Sequence, residues 1–202
     1  MKTKTKIIVE SAVMIALATV LSMIKIYDAP YGGSVTLMSA LPIVLIAMRY
    51  GMRTGFAAGF VYSVLQLILG LENVAYVPGA VGILLCCLFD YIVPFTLFGL
   101  CGAFKNFNAF KNQKLNRLVG FTLGTVIVLA IRYACHVMTG VVVWYELDLV
   151  WYADDPSHIV NMYGPWIFSF IYNAHYMIPE VLVTALGAVA LSPVDPLFNT
   201  KK

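Results

Sequence analysis

The chain has 202 residues, of which 61% are hydrophobic and only 11% charged, with a formal net charge of +3; its mean hydropathy is +0.86. A soluble domain carries about 25% charged residues, so this composition excludes an ordinary soluble enzyme and describes an integral membrane protein. The small positive charge is a topology bias and not a nucleic-acid footprint, because no basic–aromatic recognition motif accompanies it.

Six apolar spans are predicted, at about 7–25, 35–50, 54–71, 80–104, 117–144 and 164–192, to be compared with the roughly 17–25 residues that cross a bilayer as a helix. The second and third are short and are broken by Gly51 and Gly55. No soluble insertion or long linker separates them, so residues 1–202 are expected to form one all-α, six-transmembrane-helix bundle. Lys2, Lys4, Lys6, Arg49, Arg53, Lys105, Lys111, Lys114, Arg117, Lys201 and Lys202 fall on one side of it. Asp28, Glu72, Glu146, Asp148, Asp154 and Asp155 fall on the other. The positive-inside rule then puts the basic side, and both termini, in the cytoplasm. The lysines before the first span imitate a signal peptide, but no clear small-residue cleavage site follows, and the span is expected to stay.

Several classes of chemistry lack their motifs. There is no Walker A pattern, no HExxH and no GxSxG. Cys86, Cys87, Cys101 and Cys135 all lie within spans, at spacings that suit neither zinc nor redox chemistry, and are read as small packing residues. The last three spans do not repeat the first three, which disfavours an inverted-repeat secondary transporter. Uphill transport would then draw its energy from another subunit.

The fourth span carries Asp90 in a stretch, Gly79 to Ala103, with no other formal charge. A carboxylate at the centre of a membrane helix costs about 2.5–3.5 kcal/mol on the lenient insertion scale, so Asp90 must face protein, water or a ligand. His136 on the fifth span and Asn173 on the sixth reach a similar depth, roughly 12–15 Å below the outer surface at 1.5 Å per residue. A common depth on three helices points to one cavity opening outward. Arg132, His136, Gly140 and Val143 share one helical face, with Trp144 about 80° round from His136. Trp166, Ser169, Asn173, Tyr176 and Glu180 form a polar and aromatic stripe that should face the bundle. Structural alternatives stand beside these readings: Arg132 as an ion-pair partner of Asp90 or Glu180, His136 and Asn173 as interhelical hydrogen bonds, Trp144 and Trp166 as interfacial aromatics. Jointly the carboxylate, the aromatic faces and the directional hydrogen-bonding groups suit a small planar organic cation with ring nitrogens.

The sequence resembles the thiamine-specific substrate-binding (S) component of energy-coupling factor transporters. The resemblance is carried by PYGGSVTLMSALPI (30–43), LFDYIVPFTLFGLCG (88–102), IRYACHVMTGVVVW (131–144) and PWIFSFIYNAHYMIPE (165–180). It implies a six-helix fold in a bacterial plasma membrane, with thiamine as ligand and no cofactor or catalytic residue. It implies as partners a transmembrane coupling subunit and two cytoplasmic ATPase subunits. By the same resemblance, Asp90 falls on the acidic ligand of the thiazolium, Tyr91 on its aromatic neighbour, and His136, Trp144 and Asn173 on further ligand positions. Tyr62 falls on an aromatic position of the third span. Phe168 stands where the family has a tyrosine, so its hydroxyl is missing or is replaced by Tyr172 or Tyr176. Gly33 stands where some members carry a lid tryptophan, leaving Tyr31 as the nearest lid candidate. Tyr76 lies in a segment that aligns poorly. Ala12 and Ala16 match an alanine motif by which the family docks on its coupling subunit; small residues four apart also serve ordinary helix packing. The alternatives are an S component for another vitamin or precursor, a proton-coupled secondary transporter using Asp90, Arg132, His136 and Glu180, or an intramembrane enzyme built on Asp90 and His136.

Overall fold

The computed structural model describes residues 3–29 and 33–198. Tyr31, Lys2, Lys201 and Lys202, named above, lie outside the described residues. Helix α1 spans Thr3–Met23. An antiparallel hairpin follows, β1 (Lys25–Asp28) with β2 (Ser34–Thr36), pairing Lys25 with Thr36, Tyr27 with Val35 and Asp28 with Ser34. Next come α2 (Leu41–Tyr50) and α3 (Met52–Leu69). Three long helical runs complete the bundle: α4 (Ala80–Phe104), α5 (Gln113–Trp151) and α6 (Pro165–Leu191).

Among the described residues, five helices are long and apolar enough to cross a membrane: α1, α3, α4, α5 and α6. Helix α2 is the exception. The span expected at about 35–50 begins instead as strand β2, and the helix starts only at Leu41. Met38 adopts a positive φ of 58°, which interrupts any helix, and Pro42 then sits at the first helical turn, where its missing N–H is harmless. Every residue from Leu41 to Met48 is buried. A ten-residue helix whose first eight residues are all apolar and buried belongs inside a bundle, not against lipid. With Phe95, Phe98, Phe121, Val128 and Leu129, it forms the main core. The outer faces of the long helices present Val13, Val20, Ile68, Leu84, Leu182 and Leu186, all exposed, as a membrane-facing surface requires.

Two of the long helices are not regular. Helix α4 passes through a π-helical turn at Cys87–Ile92 and ends as a 3-10 segment, Leu97–Phe104. Pro94 explains the first irregularity. It has no N–H to offer the carbonyl of Asp90 four residues back, and its ring crowds that carbonyl. Helix α5 carries a second π turn at Gly140–Trp144. Single π turns inside α-helices collect at functional sites, and these two hold Asp90 and Trp144.

Packing places the irregular turns together. Helix α5 runs against α6 and α4, while α3 packs on α2 and α4. Gly140 marks the tightest crossing. A Cβ built there would lie 2.0 Å from the Ser169 hydroxyl oxygen and 3.0 Å from the Asn173 side-chain nitrogen. Only glycine lets the second π turn reach α6 so closely.

Candidate functional site

A cavity of about 350 Å³ opens at the hairpin end of the bundle, walled by α3, α4, α5 and α6 and by residues of the hairpin segment. Asp90, Tyr91, Tyr62, His136, Trp144, Asn173 and Tyr172 all line it, as does Gly33. Four separate helices therefore converge on one space, as the shared depth of Asp90, His136 and Asn173 implies.

The Asp90 carboxylate is held by donors from two helices. One oxygen accepts from His136 Nδ1 at 2.9 Å and from the Thr139 hydroxyl. The other accepts from the Trp144 indole N–H at 2.9 Å and from the Cys86 thiol at 3.5 Å. All four donors are neutral groups, so the carboxylate is well hydrogen-bonded yet has no cation in direct contact among the described residues. The π turn in α5 makes this possible. On a regular helix Trp144 stands well round from His136; the wider turn brings both side chains onto the same carboxylate.

Behind His136 runs a second line of charge. The Arg132 Nε donates to His136 Nε2 at 3.1 Å, and its guanidinium lies 4.7 Å from the centre of the Phe95 ring. Since Nε2 accepts, the proton sits on Nδ1 and points to Asp90: His136 is the neutral tautomer that bridges the two groups. Arg132 pairs with Glu180 at 3.8 Å and not directly with Asp90. Glu180 in turn accepts the backbone N–H of Thr36 at 2.7 Å and the Thr36 hydroxyl at 2.9 Å. This clasp ties strand β2 to the middle of α6.

Asn173 is equally committed. Its amide nitrogen donates to the carbonyls of His136 and Ser169, and its oxygen accepts the Tyr176 hydroxyl at 2.6 Å. That leaves the second lone pair of the Asn173 oxygen as its remaining acceptor site. Tyr176 also fills the space beside Gly33, where a Cβ would stand 2.5 Å from a ring carbon. An aromatic residue rising from α6 thus occupies the room that a large side chain at position 33 would need.

The remaining predicted residues lie elsewhere. Phe168 is buried one layer behind the wall, against Tyr145 and stacked on Tyr172 at 5.9 Å. Trp166 does not follow its stripe inward; it is 51% exposed, whereas Ser169, Asn173, Tyr176 and Glu180 are buried. Tyr76 is exposed, edge-on to Trp151 at 5.9 Å. Asp148, counted among the outer acidic residues, is fully buried. Ala12 and Ala16 are both exposed on α1, so neither packs inside the bundle.

Sequence reasoning missed Ser22, Gln66, Asn73 and Phe95 as lining residues. Gln66 donates to the Ser22 hydroxyl at 2.9 Å, joining α3 to α1 beside the cavity. A polar Gln within an apolar span was the available signal. Tyr62 carries a different one: it is fully buried, and its hydroxyl faces Ser22 and Ser39 without a well-formed hydrogen bond. A buried phenol short of a partner on a cavity wall is a ready donor for something placed in the cavity.

Known proteins resemble this chain over most of its length. The family described as "Thiamine transporter protein (Thia_YuaJ)" matches residues 8–197. "Thiamine transporter ThiT" of Bacillus subtilis (strain 168) is 30% identical over 194 residues, covering 94% of this chain and 91% of that protein. The protein of the same name from Lacticaseibacillus paracasei is 29% identical over 204 residues, covering 96% and 91%. A solved structure of ThiT from Listeria monocytogenes superposes with a TM-score of 0.71 at 25% identity, covering 96% of this chain and 98% of that one.

Proposed function

The chain belongs to the thiamine transporter protein family, and on that premise we propose that it is the thiamine-binding S component of an energy-coupling factor importer. It performs no covalent chemistry. Its task is to capture a cation and present it to partner subunits that hydrolyse ATP. One observation carries the reading: a carboxylate ringed by neutral donors stands in the wall of an aromatic cavity of about 350 Å³.

Thiamine joins a permanently positive thiazolium to an aminopyrimidine. In this proposal the thiazolium lies toward Asp90, which touches no cationic side chain among the described residues, with Tyr91, Trp144 and Tyr172 offering ring faces and edges. Both ring nitrogens of His136 are engaged with Asp90 and Arg132, so His136 orients the carboxylate and offers the ligand only its ring. The Asn173 oxygen accepts from the pyrimidine amino group, and the Tyr62 hydroxyl serves the ligand's hydroxyl tail. Phe168 supports Tyr172 from behind. Gly33 is the lid position by the family resemblance, with Tyr176 standing in for a bulky residue there.

The protein is a multi-pass membrane protein. In the proposed orientation its Arg49, Arg117 and Lys105 end faces the cytoplasm with both termini, and the cavity faces outward. The exposed Ala12 and Ala16 on α1 form the surface that meets the coupling subunit, two small residues permitting close approach of a partner helix. The test is titration of the purified protein with thiamine while following tryptophan fluorescence, because the Trp144 indole touches the carboxylate that the ligand would meet. A saturable change at micromolar ligand or below supports the reading, and its absence sinks it. Competition by separate pyrimidine and thiazole fragments distinguishes thiamine from another vitamin. Uptake by the protein alone in liposomes, driven by a pH gradient, would favour secondary transport instead.

A further inference from the structure

The thiamine reading leaves Glu180 without a task. This carboxylate is fully buried and does not line the cavity, yet it sits one residue behind the cavity wall through Arg132. We infer that Glu180 is a specificity-determining residue: by neutralising Arg132 it leaves the charge of Asp90 uncompensated, so that the site selects a cation over a neutral molecule of the same shape. The inference rests on the thiamine-binding reading of the cavity.

The charges are taken with both carboxylates ionised, as their backbone and indole N–H donors favour. Glu180 only accepts, from the Thr36 N–H and hydroxyl, with the Arg132 guanidinium 3.8 Å away. Asp90 likewise only accepts, from His136, Thr139, Trp144 and Cys86. His136 donates from one ring nitrogen and accepts on the other, and is therefore neutral. The buried cluster thus holds two carboxylates and one guanidinium, a net charge of minus one, which matches a ligand of plus one.

Take Glu180 away and the balance fails. Arg132 and Asp90, separated only by the His136 ring, would form a closed pair of net charge zero. In a low-dielectric interior such a pair interacts strongly, and a long guanidinium has reach to turn toward Asp90. The cavity would keep its shape and its aromatic walls but lose its preference for positive charge. The competing reading is that Glu180 is only a clasp holding β2 through Thr36. A clasp would affect all ligands alike, whereas a charge-setting residue discriminates between them.

The experiment measures the affinity of the full-length purified protein for thiamine and for an uncharged analogue whose thiazolium is replaced by a neutral five-membered ring. Wild-type protein that fails to bind thiamine overturns the thiamine reading, and this inference with it. Given wild-type binding, Glu180→Gln should weaken thiamine at least about tenfold while changing the neutral analogue by less than about threefold. The double variant Arg132→Gln with Glu180→Gln returns the cluster to minus one. It should recover the wild-type ratio of cation to neutral affinity within about threefold, whatever its absolute affinity. Equal losses for both ligands in Glu180→Gln, or a ratio that stays collapsed in the double variant, would overturn the inference while leaving thiamine binding intact. If Glu180→Gln alone does not fold, as judged by thermal unfolding, Arg132→Gln decides. Its cluster carries minus two, so the preference for the cation should rise, and an unchanged or lower ratio overturns the proposal.

Discussion

The two ends of this bundle hold their charges in opposite ways. At the end away from the hairpin, Arg49 and Arg117 are consumed by structure. Arg49 donates to the carbonyls of Pro196 and Leu197 at 2.6 and 2.9 Å and pairs with Glu10 at 3.2 Å. Arg117 pairs with Asp195 and lies over the Phe198 ring. These contacts pin the short helix Asp195–Phe198 to the bundle. At the hairpin end, Asp90 is surrounded by neutral donors, and the nearest guanidinium is already paired with Glu180. A direct ion pair fastens a chain but saturates both charges. A carboxylate satisfied by dipoles is stable in a buried place and still exerts its charge on whatever fills the cavity.

Substitutions at the two ends should therefore differ in kind. The largest expected effect is Asp90→Asn, which keeps the size of the side chain and removes its charge. Losing one partner of a buried charge interaction costs about 2–5 kcal/mol, so thiamine affinity should fall by about two orders of magnitude in a fluorescence titration, with the fold intact as judged by a cooperative melting transition. Unchanged affinity would remove Asp90 from the site. Gly140→Ala comes next. Its Cβ would meet the Ser169 hydroxyl at 2.0 Å, and overpacking of this kind costs about 1–3 kcal/mol. Thermal unfolding should report that loss, and affinity should drop too, because the crossing also places Asn173 and Trp144.

Smaller effects sharpen the comparison. Trp144→Phe keeps an aromatic wall and deletes one hydrogen bond to Asp90. A bond to a charged group contributes about 1.5–3 kcal/mol, so affinity should shift by about tenfold, and most of the ligand-dependent fluorescence change should vanish with the indole. Arg49→Ala should matter least. It removes the pair with Glu10 and the hydrogen bonds to the Pro196 and Leu197 carbonyls, contacts remote from the cavity, so a fall in melting temperature with unchanged thiamine affinity is expected. An Arg49 effect on affinity as large as that of Trp144 would erase the distinction between the two ends.

Much of the site was legible in the chain because membrane burial penalises polar groups. Asp90, His136 and Asn173 each stand out against apolar neighbours, and their common depth follows from helix rise alone. The stripe Ser169, Asn173, Tyr176 and Glu180 follows from helical spacing, and all four are buried. Trp166, assigned to that stripe by the same spacing, is instead largely exposed at the start of α6. Spacing put Trp144 about 80° round from His136 and within reach of the same side; the π turn, which a constant turn angle does not contain, brings both onto one carboxylate. The hairpin was unreadable for a related reason. Ser34–Thr36 looks like the start of an apolar span, and its backbone pairing with Lys25–Asp28 distinguishes a strand from a helix end; Thr36 is then held by Glu180, 144 positions later.

By itself, then, the sequence determined the membrane class, the long helices and the polar residues that must point inward, because each depends on composition or on local periodicity. The tertiary structure decided which partner each buried charge takes. Arg132 pairs with Glu180 and reaches Asp90 only through His136, an arrangement no spacing rule contains. It depends on two π turns, one glycine crossing and a distant strand meeting in the same place, and those contacts exist only when α4, α5 and α6 are packed together.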